Sequence, residues 1–441
     1  MRMGDHNWII AINDKLENMS DFSQEVEQWM KRSIYKLPPR VIDLDSKSYK
    51  PQIVSIGPYH HGGPHLKPME DHKERALLHF IKRSSVPIEA YLEALDDVVQ
   101  DLRDAYDELD PKWLNNTSDF LRLMILDGCF VLEVLRMGTS VLAGGYAPND
   151  PVFSSHGLLY VLPVLRCDML LLENQVPLLV LVKLLRLEKR ISKPHDEEDL
   201  MNRLIIRFFH PGQSSVGMGK CLHLLDVCRK SLLHKPRRYR MMRTRHAHDQ
   251  GGEEVDEIPS ASELSEAGIR FKRSRTTSLR DISFEGNTLR LPILFIDVET
   301  KLELLNMIAF ERFHIGAGSE VTSYVFFLDN LLRDPKDVSL LRSCGIIRNG
   351  LGSDKDVIKL FELLHTDIVV DPESGLDIIY RQVGRKLRSR FRKRLHEWGA
   401  DLARTYFKSP WAVVSVIAGV LLFTLAAIQT VYSVLGYYRP K

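Results

Sequence analysis

The chain has 441 residues, 44% hydrophobic and 27% charged, with 60 Lys and Arg against 58 Asp and Glu for a net charge of +2. That balance excludes a disordered body, and the length requires two lobes or one elaborated domain with a tail. Five cysteines, Cys129, Cys167, Cys221, Cys228 and Cys344, are few and odd in number. They suit reduced, buried thiols in a cytosolic body better than a disulfide framework.

Residues 1–33 read as an N-terminal amphipathic segment, without an apolar run of signal-peptide length. In it Phe22, Val26 and Trp29 share one helical stripe. A helical N-terminal lobe follows over 34–233. Gln52–Ile56 reads as a short strand before a loop rich in Gly, Pro and His, and 69–83 reads as a helix burying Leu77, Leu78 and Ile81. Helical spacing resumes from Ile88 to Leu109 and stops before Pro111. Two dense apolar stretches, 120–138 and 161–188, read as almost fully buried helices. Asp127, Glu133, Arg166, Asp168 and Glu173 interrupt them, which marks protein core rather than membrane and requires internal partners for the charges.

Residues 234–261 are basic, then acidic, and poor in large apolar side chains, as expected of a mobile linker. A C-terminal lobe over 262–380 contains a β-hairpin around Gly286-Asn287, with Pro292 favouring an edge. Amphipathic helices follow over 300–312, 323–332 and 354–367. The expected fold class is therefore a mainly α-helical (α+β) body with a small β element. Ser274, Thr276, Thr277 and Ser278 lie close to Arg273 and Arg275 and are candidate phosphorylation sites on an exposed segment.

The last part of the chain has a different chemistry. Residues 381–409 form a basic juxtamembrane segment, in which Arg385, Lys386, Arg388, Arg390, Arg392, Lys393 and Arg394 are candidate contacts for anionic lipid headgroups. From Ser409 to Tyr438 there is no Asp, Glu, Lys, Arg or His. About 20 apolar residues in a helix cross the ~30 Å core of a bilayer. The predicted span is 410–435, including Trp411, Leu421, Phe423 and Leu435, with a short tail over 436–441. Excess Lys and Arg upstream places the large N-terminal region in the cytosol, at the plasma membrane or an endomembrane. Overlapping sequons at Asn115 and Asn116 matter only if that region is lumenal.

Catalytic patterns are scarce. His60, His61, His65, Glu70, Asp71 and His72 offer the donors a zinc or iron site uses, but not at HExxH spacing. Gly57, Gly62 and Gly63 suit the same stretch to tight turns. GQSSVGMGKC (212–221) fails the phosphate-loop pattern in either register, and Cys221, His223 and Cys228 lack a second ligand pair. No catalytic residue, metal or cofactor is assigned, and the basic run Lys235–Arg245 is not read as a nucleic-acid site. The expected partners are membrane lipid, through the one C-terminal helix, and an unidentified protein.

Several stretches together resemble a plant-specific family, domain of unknown function 247. They are VSIGPYHHGGPHLKPMEDHK (54–73), MILDGCFVLEVLR (124–136), DMLLLENQVPLLVL (168–181), SELSEAGIRFK (262–272), ISFEGNTLRLP (282–292), IAFER (308–312) and GIIRNGLGSDKDV (345–357). Thr300-Lys301 and Glu311-Arg312 depart from the Thr-Glu and Glu-Gln pairs common in that family. The resemblance implies a plant membrane protein with no established catalytic residues to transfer. The function expected is a tail-anchored, non-catalytic protein presenting an interaction surface in signalling or recognition. The competing expectation is a membrane-tethered metal-dependent enzyme using the His60–His72 loop.

Overall fold

A computed structural model of the chain describes residues 7–17, 26, 29–139, 145–189, 196–213, 218–234, 259–366, 376, 379, 381–389 and 410–438. Nearly all of the expected linker and residues 390–409 of the basic juxtamembrane segment therefore lie outside the described residues, as do Phe22, Arg390, Arg392, Lys393 and Arg394.

In the N-terminal half the helices are α1 (Asn7–Glu17), α2 (Pro39–Ile42), α3 (Lys67–Ser84), α4 (Ile88–Asp96), α5 (Val99–Asp104), α6 (Pro111–Asn115), α7 (Thr117–Thr139), α8 (Ser155–Tyr160), α9 (Leu162–Met169), α10 (Leu178–Lys189), α11 (Asp196–Phe209) and α12 (Leu224–Leu232). α7 is buried on nearly every side and is accordingly the central post. Phe120, Met124, Cys129, Phe130, Val131, Val134 and Leu135 are each buried on it, with α3, α4, α6, α10 and α11 packed around. Gly128 lets α10 come close: a Cβ there would lie 2.6 Å from Leu184 Cδ1.

The C-terminal half adds α13 (Ala261–Glu266), β1 (Arg270–Arg273), β2 (Ser283–Glu285), β3 (Thr288–Leu291), β4 (Leu294–Ile296), α14 (Val298–Phe313), α15 (Glu320–Leu331), α16 (Pro335–Ser343), β5 (Ile347–Asn349) and α17 (Asp354–His365). The expected hairpin is β2–β3, turning at Gly286 with φ +62°. β1 joins β3 in parallel, giving the order β1-β3-β2, while β4 pairs in parallel with β5. Residues 1–253 and 259–379 form one compact unit, in which α9 and α12 pack on α14. The fold is mainly helical with two small sheets, as the periodicity requires.

Three local expectations are corrected. Gln52–Ile56 forms no strand, because its amides bond to side chains rather than to a neighbouring strand. The 161–188 stretch is two helices rather than one: Asn174 and Gln175 turn back onto the carbonyls of Asp168, Met169 and Leu171, and Pro177 has no N–H to continue the helix. In α3 the buried stripe is Met69, Lys73, Ala76 and Phe80, leaving Leu78 exposed. An inward lysine, drawn to a carboxylate on α7, sets that rotation.

Residues 254–258 and 380–441 make a second unit. Its long element is α18 (Pro410–Tyr438), 29 residues without an ionisable carboxyl, lysine, arginine or histidine. Ile417–Val434 within it is long and apolar enough to cross a membrane and is exposed throughout.

Candidate functional site

The motif-rich stretches converge on a buried polar knot between α3, α7 and the turn before α10. Asp127, on α7, accepts from Lys73 Nζ at 2.7 Å and from the Gly57 amide at 2.7 Å. Lys73 also meets Glu70 at 2.8 Å and the Ser55 hydroxyl at 3.2 Å. Lys73 and Asp127 are fully buried. Burial opposes the ammonium, but Asp127 and Glu70 outweigh it and hold the Lys73 pKa above its ordinary value. Gly57 has φ +79°, and a Cβ on it would stand 2.4 Å from the Gln175 carbonyl oxygen, so only glycine fits this approach.

Asp168 closes the other side. Its carboxylate accepts the amides of Gln52, Ile53 and Val54 at 2.8, 2.8 and 3.0 Å. Burial pushes its pKa up despite those three donors. Asn174 takes the Ile56 amide at 2.7 Å and donates to the Val54 and Asp168 carbonyls. Glu173 accepts from the Leu37 amide, and Glu133 meets Arg83, Arg136 and the Tyr146 hydroxyl. Arg166 pairs with Glu299 at 2.7 Å. Each charge that interrupts the apolar stretches thus has a partner within the fold. The knot joins segments far apart in sequence, and its donors and acceptors are occupied by one another.

The histidine loop beside it does not gather its ligands. His60 Nε2 lies 3.1 Å from Glu173, and His61 packs edge-on to Trp113. His65 contacts the Pro51 carbonyl, Glu70 is held by Lys73, and His72 meets Arg75. Among the described residues, three side chains elsewhere bring ligand atoms within 4.8 Å of one another: His210, Cys228 and Glu303. His210 Nε2 is 2.9 Å from Glu303 Oε1, and its Nδ1 is 2.8 Å from Ser231 Oγ. Sequence reading singled out Cys228 but missed the other two, since they come from different elements and form no spaced motif.

All five cysteines are free thiols, with Cys129, Cys221 and Cys228 buried. Burial pushes the Cys221 thiol up to about 12. Of the phosphorylation candidates, Ser274 and Ser278 are buried rather than exposed. Ser274 donates to the Asp281 carbonyl and Thr276 to the Asp281 carboxylate, which folds this segment onto itself. Thr277 alone of the four is exposed. Arg385, Lys386 and Arg388 lie in a helix over 381–389. Trp411, Leu421, Phe423 and Leu435 all fall within α18, and the side chains of Leu421 and Phe423 are 58% and 77% exposed.

Comparison with known proteins agrees with the motif content. The family profile described as a plant protein of unknown function, domain of unknown function 247, matches residues 34–425. The chain is 30% identical to the UPF0481 protein At3g47200 of Arabidopsis thaliana over 437 residues, 92% of this chain and 87% of that one. It is 21% identical to the putative UPF0481 protein At3g02645 of the same plant over 526 residues, 97% of this chain and 94% of that one. No solved structure matches the chain. With the profile spanning nearly the whole chain, this protein belongs to the plant family domain of unknown function 247.

Proposed function

We propose that the protein is anchored in a membrane by α18, with its large N-terminal region in the cytosol, and that it presents a non-catalytic surface to a protein partner in signalling or recognition. The observation that carries this reading is an uncharged 29-residue helix whose side chains over Ile417–Val434 are exposed. In water, leaving Leu421, Leu422, Phe423 and Leu425 uncovered costs roughly 1.5–3 kcal/mol per side chain relative to burial, and a bilayer removes that cost. Arg385, Lys386 and Arg388, with the basic residues beyond them, suit an anionic cytosolic leaflet at about 1 kcal/mol each. Exposed apolar side chains on the body, Leu159 and Tyr160 on α8 among them, are available to a partner.

Sealed microsomes carrying the full chain test the topology. The protein is expected in the membrane fraction and to stay there in alkaline carbonate. Added protease should remove the body, while the exposed sequons at Asn115 and Asn116 stay unglycosylated. Recovery of the full chain in the supernatant would sink the anchor; glycosylation at either asparagine would reverse the orientation.

A further inference from the structure

We infer that His210, Cys228 and Glu303 form a binding site for a zinc-class divalent metal ion, which ties α11 and α12 to α14. One imidazole, one thiol and one carboxylate are a donor set that zinc accepts, and tetrahedral zinc needs its donors clustered around a single point. Here the ligand atoms lie within 4.8 Å of one another. They come from the residue after α11, the middle of α12 and the second turn of α14.

Hydrogen bonding around the triad fixes which imidazole nitrogen is available. The Ser231 hydroxyl donates its one proton to the Cys228 carbonyl at 2.7 Å. Its oxygen is therefore the acceptor in the 2.8 Å contact with His210 Nδ1, so Nδ1 carries the ring proton. In the neutral ring Nε2 then presents a lone pair beside the Glu303 carboxylate rather than along the line to it. A metal-bound histidine is oriented in this way, with its distal N–H held by an outer partner.

Glu303 supplies the second, independent observation. Its Oε1 is buried and receives no hydrogen bond, although His210 Nε2 is only 2.9 Å away. The carboxylate is thus off the line of any Nε2–H, which is poor geometry for an ion pair. Two donors sharing one ion at bonds of about 2.0–2.2 Å stand roughly 3 Å apart with no hydrogen between them. The glutamate residue is 8% exposed and Cys228 fully buried, so an orphaned oxygen there is costly unless a cation meets it. Three protein donors leave one coordination position for water. The inference is independent of the membrane anchor.

The test uses the full-length chain in detergent micelles, stripped with chelator and titrated with zinc, then with cobalt(II) as a spectroscopic probe. One zinc per chain is expected to survive dialysis, and the cobalt form should show thiolate-to-metal charge-transfer absorption. C228S should abolish that absorption, and H210A and E303Q should each weaken zinc binding by at least ~100-fold. S231A, which removes only the outer hydrogen bond, should weaken it by about 10–100-fold. Because C228S changes a fully buried side chain, circular dichroism compares the metal-free variants with metal-free wild type, and E303Q preserves shape. If wild type takes up no stoichiometric zinc, or its cobalt form lacks the thiolate band, the site does not exist. Zinc affinity unchanged in both E303Q and S231A would also overturn it.

Discussion

Lys73 and Asp127 face each other at 2.7 Å, with neither side chain reaching solvent. Asp127 depends on that pairing, because removal of Lys73 leaves its carboxylate with only the Gly57 amide to answer it, whereas Lys73 keeps Glu70 at 2.8 Å. K73M is expected to cost about 3–5 kcal/mol, the usual penalty for orphaning a buried charge. The apolar double variant K73M/D127L should be less destabilised than K73M alone. Urea unfolding of the detergent-solubilised chain measures both; a double variant weaker than the single one would contradict the argument.

Acid stability should turn on His223. The ring is fully buried, with Nε2 donating to the Ser33 carbonyl and Nδ1 accepting the Asp226 amide at the start of α12. Burial lowers its pKa from 6.5 to about 4. The unfolded chain therefore takes up a proton before the folded one does. Stability from this group is complete above pH 6.5 and is lost as pH falls from 6.5 to about 4, by roughly 3 kcal/mol in all. H223N keeps a helix-capping side chain but cannot titrate, so its stability should fall less over that window. Unfolding midpoints measured across the range give the two slopes directly.

A charge in the middle of α18 tests the anchor energetically. Leu421→Arg is expected to cost about 2.5–3.5 kcal/mol of insertion free energy on the translocon scale. Pairing it with Phe423→Arg should shift most of the protein from membrane to supernatant. Carbonate extraction of microsomes reads the outcome, and full retention of the double variant would rule out the helix as sole anchor.

Modification of the 274–278 segment should be confined by burial. A phosphate on Ser274 would have to break the hydroxyl's bond to the Asp281 carbonyl, whereas Thr277 faces solvent. Phosphopeptide mapping of protein from plant tissue is expected to place phosphate on Thr277 and not on Ser274. Abundant phosphoserine at 274 would mean that this segment opens in the cell.

Much of the architecture was already legible in residue order. Period and composition identified α7, α14, α15, α17, the β2–β3 hairpin and the uncharged terminal helix, because those signals are local. Each is set by what lies within a turn or two of the same chain. The demand that Asp127, Glu133, Arg166, Asp168 and Glu173 find partners was equally plain, since buried charge is costly wherever it occurs. Who those partners are was not. Lys73 meets Asp127 across 54 residues, and Asp168 takes amides more than 110 residues away. Those long-range bonds abolished the expected strand at 52–56, and the inward lysine rotated α3. His210, Cys228 and Glu303 share no periodic pattern, so only the packing of α11, α12 and α14 brings their donor atoms together. Short-range hydrophobic pattern determines which segments become helices. The pairing of polar groups in the interior is decided by tertiary distance, which residue order does not encode locally.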